Sequence, residues 1–320
     1  MIDYVFAPGV QTAPQRLHPE LADWLSHWLD RVAEDVEKRE IAASTCVAGL
    51  IAENWLHGHR RTDWLGAMKE LLEFEGMPIA YSEEYGRRLY QFNQWRQTTV
   101  HAVHSRWWIE RSLGEEYEPA GKLIETFVQP SGFVYNPQVS ETGVRTRMRS
   151  ELLMSLAMGS EILVHSGRRK ALAALTSAAV KLPATPYIGA EYFRLRALET
   201  LGNPKLMVGN VLETVRRCRA PPGFADFCVE DKVDDYMGTA KRVGRDHSVF
   251  SPISSLQALF LARSVTGEDQ HELLAWSKEI STHLSRDPLG IPSLKMRDLE
   301  APFGEGATVY EVLSAAHLLT

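Results

Sequence analysis

The chain has 320 residues, 44% of them hydrophobic and 24% charged, with a formal net charge of -6; it can bury a sizeable core, and its acidic balance excludes general nucleic-acid binding, which needs a basic field to displace counterions. Three cysteines, Cys46, Cys218 and Cys228, are too few and too scattered for a disulfide framework or a closed structural zinc site, as in a reducing compartment. The N-terminus shows no basic region followed by a long apolar one, and the longest apolar run, 41–56, is interrupted by Ser44, Thr45, Glu53 and Asn54, so a cytoplasmic protein without a membrane span is expected.

Apolar residues at helical spacing predict a helix over 21–38, with Leu21, Trp24, Leu25, Trp28, Leu29 and Val32 on one stripe. Residues 41–57 are apolar nearly all round, the pattern of a buried helix. A further amphipathic helix is predicted over 63–75, stopped by Gly76 and Pro78. The longest helix is predicted from Ser82, a candidate cap, to Gly114, with Leu89, Phe92, Val100, Val103 and Trp107 on its buried side. Residues 129–144 contain two prolines, two glycines and no helical period, which makes them the expected linker between an N-terminal helical region (1–128) and a C-terminal region (145–320).

Beyond the linker, helices are predicted over 145–165, 170–181, 189–201, 206–219 and 236–245. Another begins at Pro252, where Ser251 can cap and proline suits the first turn, and it is followed by helices over 270–284 and 309–319, the last with Thr308 as a candidate cap. Three segments share a texture: Y-F-R-L-R-A-L-E-T-L-G, L-Q-A-L-F-L-A-R-S-V-T-G and Y-E-V-L-S-A-A-H-L-L, about sixty residues apart, room for two helices and their loops. No strand pair is predicted. The expected fold is all-α: an N-terminal helical region followed by an α/α helical-repeat region, a partial toroid or solenoid, with an irregular bundle as the alternative.

The repeat texture of 145–320 resembles the α/α-toroid proteins, the superfamily of protein prenyltransferases and squalene-cyclase-type terpene cyclases. The resemblance draws attention to 221–235, P-P-G-F-A-D-F-C-V-E-D-K-V-D-D, dense in acids and aromatics. Asp226 and Cys228 are spaced as two zinc ligands of the prenyltransferases, which implies a later histidine: His317, in the last repeat, or His271 or His283. Asp234 and Asp235, with Asp231 nearby, resemble the acid cluster of class II cyclases, whose chemistry needs a carboxylic acid kept protonated. Lys232 works against that, because a cation lowers the pKa of a neighbouring acid. A buried Cys228 and a solvated acidic turn are the alternatives.

Three other groups stand out. His101 and His104 sit at i and i+3 on a predicted helix, a spacing that can share a metal ion, or simply pack. Arg145 and Arg149 share a helical face and can grip a phosphate or carboxylate, unless Glu141 and Glu151 pair with them. Trp107 and Trp108 are adjacent on a helix and so point to different sides, which makes Trp108 a candidate ligand contact. No phosphate-loop, dinucleotide or nucleophile-elbow motif occurs.

The expected function is that of a helical-repeat protein whose inner surface meets a protein partner or an anionic or apolar ligand. The alternative is a toroid-like enzyme acting on an isoprenoid or similar substrate through Asp226, Asp231, Asp234 and Asp235, with zinc or magnesium as the candidate cofactors.

Overall fold

A computed structural model describes residues 12–58, 63–89, 93–135, 149–207, 211–226, 249–266, 270–291 and 304–320. The fold is all-α. The described helices are α1 (Pro19–Glu37), α2 (Ala43–His57), α3 (Asp63–Leu71), α4 (Glu83–Leu89), α5 (Val100–Ser112), α6 (Pro119–Phe127), α7 (Arg149–His165), α8 (Leu172–Lys181), α9 (Ile188–Thr200), α10 (Val211–Arg217), α11 (Pro252–Thr266), α12 (Gln270–Arg286) and α13 (Gly304–Leu318). Two short hairpins interrupt them: β1 (Glu73–Phe74) with β2 (Met77–Pro78), and β3 (Arg219–Ala220) with β4 (Gly223–Phe224). None of the described helices is long and apolar enough to cross a membrane.

Helices α2, α5, α7, α9, α11 and α13 contact one another in a closed cycle, with α13 returning to α2. Between successive members of the cycle, one further helix touches both of them. Thus α1 bridges α13 and α2, α3 bridges α2 and α5, and α6 bridges α5 and α7; α8, α10 and α12 continue the pattern. Sequence periodicity explains the division. In α1 only Leu21, Leu25, Trp28, Leu29 and Val32 are buried, a single stripe. In α2 burial runs unbroken from Cys46 to Glu53, because a ring helix is enclosed from every side.

One cluster of buried apolar side chains includes residues of both the 1–128 and 145–320 regions, from Leu21 to Leu318. The described part of the expected linker is itself ordered on this core: Val134 is fully buried, and Gln129 N–H donates to the Phe133 carbonyl. Gly132 (φ 85°) lies so close to Ala174 that a Cβ there would fall 1.9 Å from its carbonyl oxygen.

Several boundaries differ from expectation. The long helix expected from 82 to 114 is three pieces: α4, a 3-10 turn (Asn93–Arg96) and α5. Trp95 is buried against Gly86, where any Cβ would lie 2.4 Å away, and Thr99 starts α5 by accepting from the Ala102 N–H. Apolar periodicity passes over such a break because buried side chains lie on both sides of it. Ser82 uses its hydroxyl to accept from Ile41 N–H, tying the chain before α4 to the start of α2. The helix expected over 63–75 stops at Leu71, because Glu75 and Gly76 (φ 52° and 79°) turn the chain into the first hairpin. Ser251 does cap α11, accepting from Ser254 N–H, whereas Thr308 lies inside α13.

Candidate functional site

The ring helices run in a common direction wherever contacts repeat along a pair. His104 of α5 meets Glu161 of α7, and seven residues on Arg111 meets His165. Gly189 of α9 lies beside Gln257 of α11, and three residues on Tyr192 meets Phe260. The N-terminal ends of α5 and α7 therefore share one face, and so do those of α9 and α11. The acidic stretch begins beside the start of α9. Asp226 is half-buried, its carbonyl accepts from Ile188 N–H at the start of α9, and its carboxylate stands over Gly189. A Cβ at Gly189 would lie 3.2 Å from Asp226 Oδ1 and 3.5 Å from Gln257 Oε1, so the glycine allows both side chains to approach the helix.

Among the described residues, buried polar and charged side chains are confined to the ring helices and the segments that precede them. They include Glu53, His104, Ser105, Glu161, Glu191, Arg194, Gln257, Glu311 and Ser314. Some are structural anchors. Arg194, fully buried, pairs with Glu191 and donates to the Leu182 and Pro183 carbonyls, fixing the turn between α8 and α9. Glu311 of α13 accepts from the Ser251 hydroxyl (2.8 Å) and Ile253 N–H (3.0 Å), which satisfies the first turn of α11.

A different arrangement joins three successive ring helices. His104 Nε2 lies 2.8 Å from Glu161 Oε2, and Arg196 of α9 donates to Glu161 Oε1 at 3.2 Å. His104 is fully buried and Glu161 is 8% exposed. A carboxylate so enclosed is retained only when paired. His101, one turn earlier on α5, has its pKa pushed down to about 4, by burial first and by its neighbour His104 second, so its imidazole is neutral at physiological pH. Trp107 packs edge-on to His165 at the far end of this cluster, with the Arg111 guanidinium also over its ring.

Asp226 stands at the start of α9, whereas His317 occupies the last turn of α13. Trp108 is buried like Trp107. His271 is exposed on α12, and His283 stacks edge-on against Phe250. Cys228, Asp231, Asp234, Asp235 and Arg145 lie outside the described residues, as does the side chain of Arg149. Among the described residues no group of three or more His, Cys, Asp or Glu side chains is placed to hold a metal ion. The ring brings His104 to Glu161 and Arg196, two partners that sequence reading passed over. Their signal is a charged residue inside an otherwise apolar segment, as in Leu152–Val164.

Pro221 and Pro222, from the same acidic stretch, line an open cleft of about 400 Å³ with Val249, Phe250 and His283. Arg219 at its edge pairs with Glu279 and covers the faces of Phe224 and Trp276. Compared with family models, with curated proteins and with solved structures, the chain matches none.

Proposed function

We propose that the protein is an α/α toroid that binds a small ligand in the interior of its helical ring. The observation that carries this is the confinement, among the described residues, of buried polar and charged side chains to the ring helices and the segments leading into them. Six equal cylinders in a regular closed ring surround a space about one cylinder, roughly 10 Å, across. Burying His, Glu and Arg side chains on helices that enclose such a space costs stability that apolar residues would not, and a polar ligand offsets that cost. A small molecule suits this interior better than a protein partner, which would engage the outer surface. The test is thermal unfolding of the purified full chain against a panel of diols, amines, carboxylates and isoprenoid diphosphates. A true ligand at a hundred times its Kd stabilises by about 2.7 kcal/mol. No shift with any class would count against the reading.

The second reading, an enzyme acting on an isoprenoid or similar substrate, is favoured by one placement: half-buried Asp226 at the start of a ring helix, its carboxylate beside Gly189. Asp231, Asp234 and Asp235 come soon after it in the sequence. Incubation with geranylgeranyl diphosphate, with and without magnesium or zinc, tests this directly. Turnover abolished by Asp226→Asn would support it, and no turnover would remove it.

A further inference from the structure

The cleft beside the β3–β4 hairpin is walled by rings: Pro221, Pro222, Phe250 and His283, with Val249 between them. Its volume of about 400 Å³ falls within the roughly 300–1,000 Å³ of small-molecule sites. None of its lining residues belongs to the six helices of the cycle, so it is separate from the proposed interior site. Gly223 sets its floor. A Cβ there would fall 2.6 Å from Phe250 Cε2 and 2.5 Å from Ser255 Oγ, so only glycine lets the Phe250 ring lie against the hairpin. His283 lines the cleft with its ring edge-on to Phe250 at 5.7 Å.

The polar groups narrow the ligand. Arg219, the cation at the edge, is already engaged by Glu279 at 2.6 Å, by the Gly223 carbonyl at 2.8 Å and by the faces of Phe224 and Trp276. No lining residue carries a carboxylate, ammonium or guanidinium, so an ionised ligand would leave water without a fixed counter-charge. His283 is half-buried, and among the described residues its ring nitrogens have no hydrogen-bond partner. An imidazole carries at least one N–H in either tautomer and in either charge state. A hydroxyl accepts from that N–H, or donates to a bare ring nitrogen, so it suits every state. We propose that this cleft is a second small-molecule site, which takes an uncharged aromatic ring bearing a hydroxyl, of the phenol class. The ring packs among Phe250 and the two prolines, and the hydroxyl bonds to His283.

The experiment titrates the full chain with p-cresol and follows proton–nitrogen correlation spectra. Saturable shifts are expected at the His283 ring and at the amides of Ala220 and Gly290, which also line the cleft. Toluene, which lacks the hydroxyl, should bind about tenfold more weakly, the worth of one net hydrogen bond. Benzoate and benzylammonium should give no saturable shift. His283→Phe keeps an aromatic ring against Phe250 and should lower the affinity for p-cresol to that for toluene. Equal binding of p-cresol and toluene by the wild type, which needs no variant to fold, overturns the hydroxyl contact and with it the ligand class. Preference for benzoate or benzylammonium overturns the requirement for an uncharged ligand. Tighter binding of N-acetyltyrosinamide than of p-cresol overturns the small-molecule site in favour of a tyrosine from a partner protein. No saturable shift with any probe overturns the site and leaves interior binding untouched.

Discussion

At the residue scale, buried ionisable groups govern how this fold responds to its surroundings. His101 ordinarily titrates at 6.5 but is held at about 4 in the folded chain, by burial and by His104. The unfolded chain therefore binds more protons between those values, and stability falls as pH drops from 6.5 towards 4. Replacing His101 with Asn should flatten that slope, by up to roughly 3 kcal/mol between pH 7 and 4 when the two proteins are compared by urea unfolding. Equal acid slopes in both proteins would show that His101 is not the group responsible. Cys46 is the opposite case: burial pushes its thiol up, so it stays protonated and serves as a small apolar side chain.

At the scale of elements, helix ends in the ring depend on side chains from distant parts of the sequence. The first turn of α11 is satisfied by Ser251 locally and by Glu311 of α13, the neighbouring ring helix. Glu311→Ala would leave a buried hydroxyl and a backbone N–H without their charged acceptor, so a loss of about 2–3 kcal/mol is expected on chemical denaturation. Glu311→Gln, which keeps an acceptor oxygen, should recover part of it. Sequence reading found the near half of this cap, because Ser-Pro ahead of an apolar run is a local signal. It could not find Glu311, whose role exists only once α13 lies beside α11. The same limit explains α4 and α5. Their break depends on Trp95 meeting Gly86, a contact invisible to a window that scores periodicity alone.

At the scale of the whole molecule, the ring is closed by contact between α13 and α2, where the Tyr310 hydroxyl donates to the Ser44 carbonyl at 3.2 Å. Removing 304–320 would expose the buried faces of α2, α11 and α12 together. We expect the truncated chain to lose its cooperative unfolding transition and to bind hydrophobic dyes, both measurable by calorimetry and fluorescence. Retention of a sharp transition would show that the remaining helices form a stable arc without closure.

The sequence by itself determined the all-α class and the positions of most helices, and it marked 41–57 as enclosed and 21–38 as one-sided, because periodicity is a property of single segments. Its candidates included His104 and Asp226. Tertiary structure alone decided that six helices close a ring, that α13 caps α11, and that Glu161 links His104 to Arg196. Those relations join residues 35 to 60 positions apart or more, through the meeting of helix faces whose order around the ring no local pattern encodes.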